Sequence, residues 1–249
     1  MIAFRLAVML ILLLALFIGP NAAHAEYVFN VQGASVSTAK NDVQIPGDTG
    51  TRFSLSDDLQ AERAFSWRVE AGYIFGGRNY VGLTASPLTV TSRGRVDRDI
   101  RFRDSNFTAG TDLTAKFRFD SYRLTWRRKL VAKDTVDIWL GLTGKVRDAA
   151  ISLEGNGTKA EKKNTGFVPL VNFYGEWRFA EPWSLRIAGD ALGSSQGRAE
   201  DVLAAVTYAL SDTARILAGY RVLEGGADND KVYTFSLFHY VVGGVEVRF

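Results

Sequence analysis

Apolar and polar residues alternate along most of this chain. Over Tyr233–Phe249 the odd-numbered positions (Tyr233, Phe235, Leu237, His239, Val241, Gly243, Val245, Val247, Phe249) form an almost wholly apolar face. The even positions are mixed and end in Glu246 and Arg248. The same period returns where Phe65, Trp67, Val69, Ala71, Tyr73 and Phe75 enclose Arg68 and Glu70. It returns where Val136, Ile138, Leu140, Leu142 and Val146 enclose Asp137, Thr143, Lys145 and Arg147. Phe167, Val171, Phe173, Trp177 and Phe179 alternate with Asn172, Glu176 and Arg178, and Trp183, Leu185 and Ile187 with Ser184, Arg186 and Asp190. A period of two marks strands with one apolar face. Helical spacing fits none of these windows.

The connections predict how the strands are joined. Short gaps at 76–79, 132–134, 180–182 and 211–212 alternate with long polar ones at about 38–62, 92–112, 152–166, 193–200 and 224–231. A soluble sandwich gives no reason for that alternation, whereas a membrane barrel has short turns at one rim and long loops at the other. The gaps delimit ten strands, at about 26–37, 63–75, 80–91, 113–131, 135–151, 167–179, 183–192, 201–210, 213–223 and 232–249. Most meet the roughly 9–11 residues that a tilted crossing requires. The fold class expected is therefore all-β, an antiparallel up-and-down transmembrane barrel of ten strands, with eight as the alternative. In the fourth strand the apolar parity passes from Leu113, Ala115, Phe117 and Phe119 to Tyr122, Leu124 and Trp126, which predicts a bulge near Asp120–Ser121.

The first 25 residues carry Arg5, an apolar run from Leu6 to Ile18, a Gly19–Pro20 break and the small-x-small triplet Ala23–Ala25. They read as a cleaved secretory signal peptide, 1–25, too short in its apolar run to span a bilayer as a helix. Residues 26–249 are then the barrel domain. Arg5 is the leader's one charge, so these residues carry +2, one below the +3 of the whole chain, and their charges are scattered. That balance argues against nucleic acid as a partner. Cysteine is absent, so an exported chain must hold together without disulfides.

Leader, alternating strands, alternating connections and the terminal Val-Glu-Val-Arg-Phe together resemble the bacterial outer-membrane β-barrel proteins. The resemblance implies a Gram-negative outer-membrane location. It also implies that the barrel-assembly machinery recognises the carboxyl-terminal strand through Tyr240 (or Val241), Val245, Val247 and Phe249. Closure of the last strand on the first leaves no unpaired edge in lipid. Tyr27, Phe75, Tyr80, Trp126, Trp177, Phe179, Trp183 and Tyr208 fall near the short-turn rim. Trp67, Phe167, Tyr233 and Phe235 fall near the other, as two aromatic girdles.

Function should then lie on the inward face and in the loops. Parity gives as lumen-lining Arg68, Glu70, Arg118, Arg123, Lys145, Arg147, Glu176, Arg178, Arg186, Asp190, Arg221 and Glu246, with Lys116, Asp137, Arg215 and Arg248 beside them. Trp139, Tyr174, Leu203, Leu217, Phe238 and Tyr240 share that parity. Such a set fills a small lumen with paired charges and inward aromatics. This favours a structural or interaction role, in which basic loops such as Ser92–Asp104 contact lipopolysaccharide or outer-membrane lipid. The alternative is a narrow, mildly anion-selective path for a small solute. A hydrolase or lipid-modifying enzyme has little support. His24 leaves with the leader, and His239 lies on the lipid-facing parity, away from any nucleophile. No cofactor or metal motif is present in the sequence.

Overall fold

The computed structural model describes residues 25–194 and 197–249. The expected signal peptide, apart from Ala25, lies outside them. The strands are β1 (Glu26–Gln44), β2 (Ala64–Phe75), β3 (Asn79–Ser86), β4 (Thr89–Arg95), β5 (Asp112–Ala132) and β6 (Val136–Gly155). They continue with β7 (Thr158–Ala180), β8 (Trp183–Ser194), β9 (Gly197–Ala209), β10 (Ala214–Asn229) and β11 (Val232–Arg248). Strands β3 and β4 both pair with β5 and are two pieces of one barrel strand, interrupted at Pro87–Leu88, where proline has no N–H to give the ladder. Counted so, the barrel has ten strands, the number the periodicity favours over eight. Closure is by β11, which pairs with β10 and, from Val28↔Arg248 to Gln44↔Tyr233, with β1.

The end with the short turns is the base and the opposite end the top. Residues such as Leu124, Ile138, Leu140, Leu142, Ile187, Val206, Val241 and Val245 form an exposed apolar belt between them. Below it Tyr27 packs on Tyr73 and Phe249 at 5.1 and 5.8 Å, and Trp183 on Tyr208 at 4.7 Å. Above it stand Phe65 and Phe167, with Tyr233 against Phe235 at 5.2 Å. Aromatic rings flanking an apolar band are how such barrels meet the two bilayer interfaces.

The top departs from expectation. Three of the five long gaps are strand: β6 and β7 run to a hairpin at Gly155↔Thr158, Ser194 pairs with Gly197, and Asn229 pairs with Val232. Above the bilayer no lipid imposes an apolar outer face on a strand, so polarity there does not distinguish strand from loop. Asn156 and Gly157, with φ of 51° and 75°, make the two-residue turn that Asn-Gly favours. Only the β1–β2 and β4–β5 connections are long. They carry the short pairings of Phe53–Ser54 with β1 and of Gln60–Ala61 with β4, and the small hairpin Ile100–Phe102 with Ser105–Phe107.

The expected bulge at Asp120–Ser121 is absent. Register with β6 is unbroken there, Asp120↔Asp148 and Ser121↔Arg147. One parity runs through β5, and the apolar residues change sides instead. Tyr122, Leu124 and Trp126 face outward in the belt, whereas Leu113, Ala115 and Phe117 face inward above it. There they meet Val43, Ile45, Phe53, Leu55, Leu59, Ile100, Phe102, Phe107 and Leu153 in a core like that of a soluble protein.

Candidate lumen site

Inward strand positions at mid-height bring together a buried ion cluster centred on Asp201. Arg221 donates to it through Nε (2.5 Å to Oδ1) and Nη2 (2.7 Å to Oδ2), Arg123 through Nη2, and Arg68 Nη1 lies 3.5 Å away. Arg123 reaches Asp190 with its other arm at 2.6 Å. Asp190 also accepts from Thr143 Oγ1 (2.6 Å) and Asn172 Nδ2 (2.8 Å). Arg123, Arg221, Asp190 and Asp201 are all buried. Ions removed from water persist only when paired and hydrogen-bonded on most sides, as these are. Immediately above lie Tyr240, with Arg221 over its ring at 4.6 Å, and Phe238 against Phe117 at 5.5 Å. Ions and rings together form a section of buried side chains between the two cavities.

Toward the base the lumen opens into a polar vestibule of about 810 Å³. Glu176 and Glu246 are its buried carboxylates. Arg186 bridges them at 3.0 and 2.6 Å, Arg215 holds Glu176 at 2.7 Å, and Arg248 holds Glu246 at 2.9 Å. Tyr174 donates to Glu176, and Arg178 joins Asp137 at 3.0 Å. Tyr80 donates to Glu70, and the Arg127 guanidinium lies over the rings of Tyr80 (3.9 Å) and Tyr174 (4.6 Å). The girdle position expected for Tyr80 is corrected: it points inward. Its ring crosses Gly82 and, on the adjacent strand, Gly72, where any Cβ would collide with it.

Of the residues with expected lumen parity, Arg68, Arg123, Asp190 and Arg221 are in the ion cluster, and Glu70, Glu176, Arg178, Arg186 and Glu246 line the vestibule. Lys145 and Arg147 face a separate cavity above. Arg118 is not in the lumen. Because β5 keeps one parity, Arg118 projects outward just above the belt, bonded to Asp120 and Asp148 at 2.7 Å each, and Lys116 projects outward with it. Asp201 was not among the expected lumen residues, because it falls at the edge of a segment read as loop. Its parity with inward Leu203 is the signal that could have found it. In the terminal strand Val245, Val247 and Phe249 face outward with Val241, while Tyr240 is buried inside.

The long top connections carry their own pairs. Arg93 meets Glu62, Arg95 holds Asp112 at 2.7 Å, and Arg98 holds Asp58 at 2.6 Å. The Arg98 hydrogen bond keeps the Asp58 carboxyl below the usual carboxylate range. His239 lies on the outer face with its Nδ1 2.5 Å from the Tyr220 hydroxyl.

No family model matches the chain, and no protein of curated function matches it in sequence. Solved structures match it by fold. The outer membrane protease OmpT from Escherichia coli aligns over 90% of this chain and 97% of its own, with TM-score 0.57 and 8% identity. Ail, the attachment invasion locus protein of Yersinia pestis, in complex with the heparin analogue sucrose octasulfate, aligns over 90% and 99%, with TM-score 0.39 and 11% identity. Neisserial surface protein A aligns over 90% and 97%, with TM-score 0.34 and 15% identity. The fold is that of the Gram-negative outer-membrane β-barrel proteins. Its apolar belt between two aromatic girdles fits a barrel that spans a bilayer, with short turns at one face and long connections at the other.

Proposed function

We propose that this protein is a non-conducting outer-membrane barrel that acts at its outer end, by binding the anionic headgroups of lipopolysaccharide. The observation that supports the reading is the buried section at Asp201, where paired ions lie beneath the Tyr240–Phe238–Phe117 layer. In this reading they leave solute no continuous path. A channel needs a continuous polar lining. The proposed role requires no catalysis. The binding surface differs from the loop first expected. Arg93, Arg95 and Arg98 are each neutralised by a carboxylate. Among the described residues Lys116, Lys162 and Lys231, with Arg63 and Arg101, all in the outer part, have no acidic partner; Lys116 projects outward, whereas Lys162 and Lys231 stand at the wall of the upper cavity. In this reading the outward Val241, Val245, Val247 and Phe249 present the terminal strand to the assembly machinery.

The test is lipopolysaccharide binding by refolded protein at two salt concentrations. Changing Lys116, Lys162 and Lys231 together to Gln is expected to weaken binding at least about tenfold and to flatten its salt dependence. Changing Arg93, Arg95 and Arg98 to Gln is expected to have a smaller effect. Binding unchanged by the lysine substitutions would contradict the reading.

A further inference from the structure

A second cavity, of about 650 Å³, lies inside the outer part of the barrel, on the far side of the ion cluster from the vestibule. That volume is within the range of small-molecule sites, roughly 300–1,000 Å³. Its walls are mostly apolar and include Phe117, Phe119, Phe238, Ile151 and Leu223, with the small Ala149, Ala199 and Gly225 leaving room. Lys162, Lys231 and the Arg198–Glu224 pair also line it. Deepest in it, nearest the ion cluster, two further cationic side chains lack adequate partners. Lys145 is 2% exposed and makes no hydrogen bond or ion pair; its ammonium lies over the Phe119 ring, 5.5 Å from the centroid. Arg147 gives one hydrogen bond to Asn164, and its Nε is buried with none.

The local charges do not balance. Lys145 lies across from Arg123, so Arg68, Arg123, Arg221 and Lys145 stand against Asp190 and Asp201, with Glu70 beyond Arg68 already held by Tyr80 and Arg127. Both carboxylates are already engaged. A buried ammonium without a counter-charge costs several kcal/mol, so the site favours one additional anion.

The cavity also reaches the membrane. Pairing of β7 with β8 stops at Val171↔Ala191, and among the described residues no strand pairs with β7 on that side over residues 158–170, where Arg103 donates to the Glu161 carbonyl oxygen. Pro169, two residues above the last pair, has no amide hydrogen to extend the ladder. Outward Phe167 and Pro169, and Leu192 on the inward row of β8 opposite Ala199, border the cavity at this gap.

We propose that this cavity binds one long-chain carboxylate. The carboxylate would rest on Lys145 and Arg147, the chain would follow the Phe119–Phe117–Phe238 wall, and entry would be sideways from the outer leaflet between β7 and β8. One fully buried ammonium at the inner end of one apolar wall suits a single chain with a single charge. A lipid that keeps several chains in the leaflet does not fit it.

The experiment is native mass spectrometry of the full chain, refolded in detergent and incubated with palmitate or with hexadecanol, which has the same chain and no charge. Heat-shifted gel mobility verifies folding of each variant. Wild type is expected to retain one palmitate and to prefer it to hexadecanol. Lys145→Met is expected to lower palmitate affinity at least about tenfold and abolish that preference, and Ala199→Trp to abolish retention by filling the cavity. Should Lys145→Met fail to fold, the wild-type preference and Ala199→Trp still decide. Equal retention of both ligands by wild type, no retention, or unaltered retention by folded Ala199→Trp would each overturn the proposal. Lipopolysaccharide binding is expected to survive Lys145→Met, and palmitate retention to survive Lys116→Gln, which lies outside the cavity, so failure of the outer-face reading and failure of this one are separable.

Discussion

Replacing Asp201 by alanine is expected to destabilise the folded barrel by about 3–5 kcal/mol, because removing one member of a buried ion cluster leaves its partners charged and unpaired. Three guanidinium groups, from Arg68, Arg123 and Arg221, converge on this one carboxylate from three different strands. Arg123 would retain Asp190, whereas Arg68 and Arg221 would retain no carboxylate within ion-pair distance. Urea-induced unfolding in lipid vesicles measures the loss. The double variant Asp201→Ala, Arg221→Met is expected to be more stable than the sum of the two single losses predicts, since it removes one of the stranded cations. A cost below about 1 kcal/mol for Asp201→Ala would mean that water reaches the cluster and that the section is open.

The second large effect is expected on the opposite face. Leu142 is 62% exposed, midway along the outward row from Ile138 to Val146. Arginine there would lie near the bilayer midplane, at a cost of about 2–4 kcal/mol in a lipid-facing strand position. The same substitution at the outward Phe167, at the upper girdle, is expected to cost about 1 kcal/mol or less. The same unfolding assay in vesicles compares the two. Equal costs at both sites would show that the apolar belt does not face lipid.

How far the sequence revealed this molecule depends on what surrounds each segment. Within the bilayer, lipid imposes apolar residues on one face of every strand, so β2, the lower part of β6 and β11 are legible residue by residue. Above the bilayer that constraint ends. Phe117 and Phe119 turn inward there to meet the folded-in connections, and on β5 alone that change of side reads as a bulge, which carried Arg118 to the wrong face. Polar hairpin arms such as Ser152–Gly166 look like loop, although Asn156–Gly157 signals a tight turn. Inward parity identified most of the ion network but not its pairing. Which carboxylate an arginine meets across the lumen depends on barrel stagger, and the contact between Arg123 and Asp201 spans 78 residues of chain. The missing partner of Lys145 became visible only once its neighbours were placed.

The central claim is that the lumen is closed at the Asp201 section. Single-channel recording of the refolded protein in planar bilayers tests it most directly, with heat-shifted gel mobility to verify the folded barrel. The structure predicts a folded protein with current no different from bare membrane. Discrete, reproducible conductance steps, changed in size or selectivity when Arg68 or Arg186 is neutralised, would contradict it.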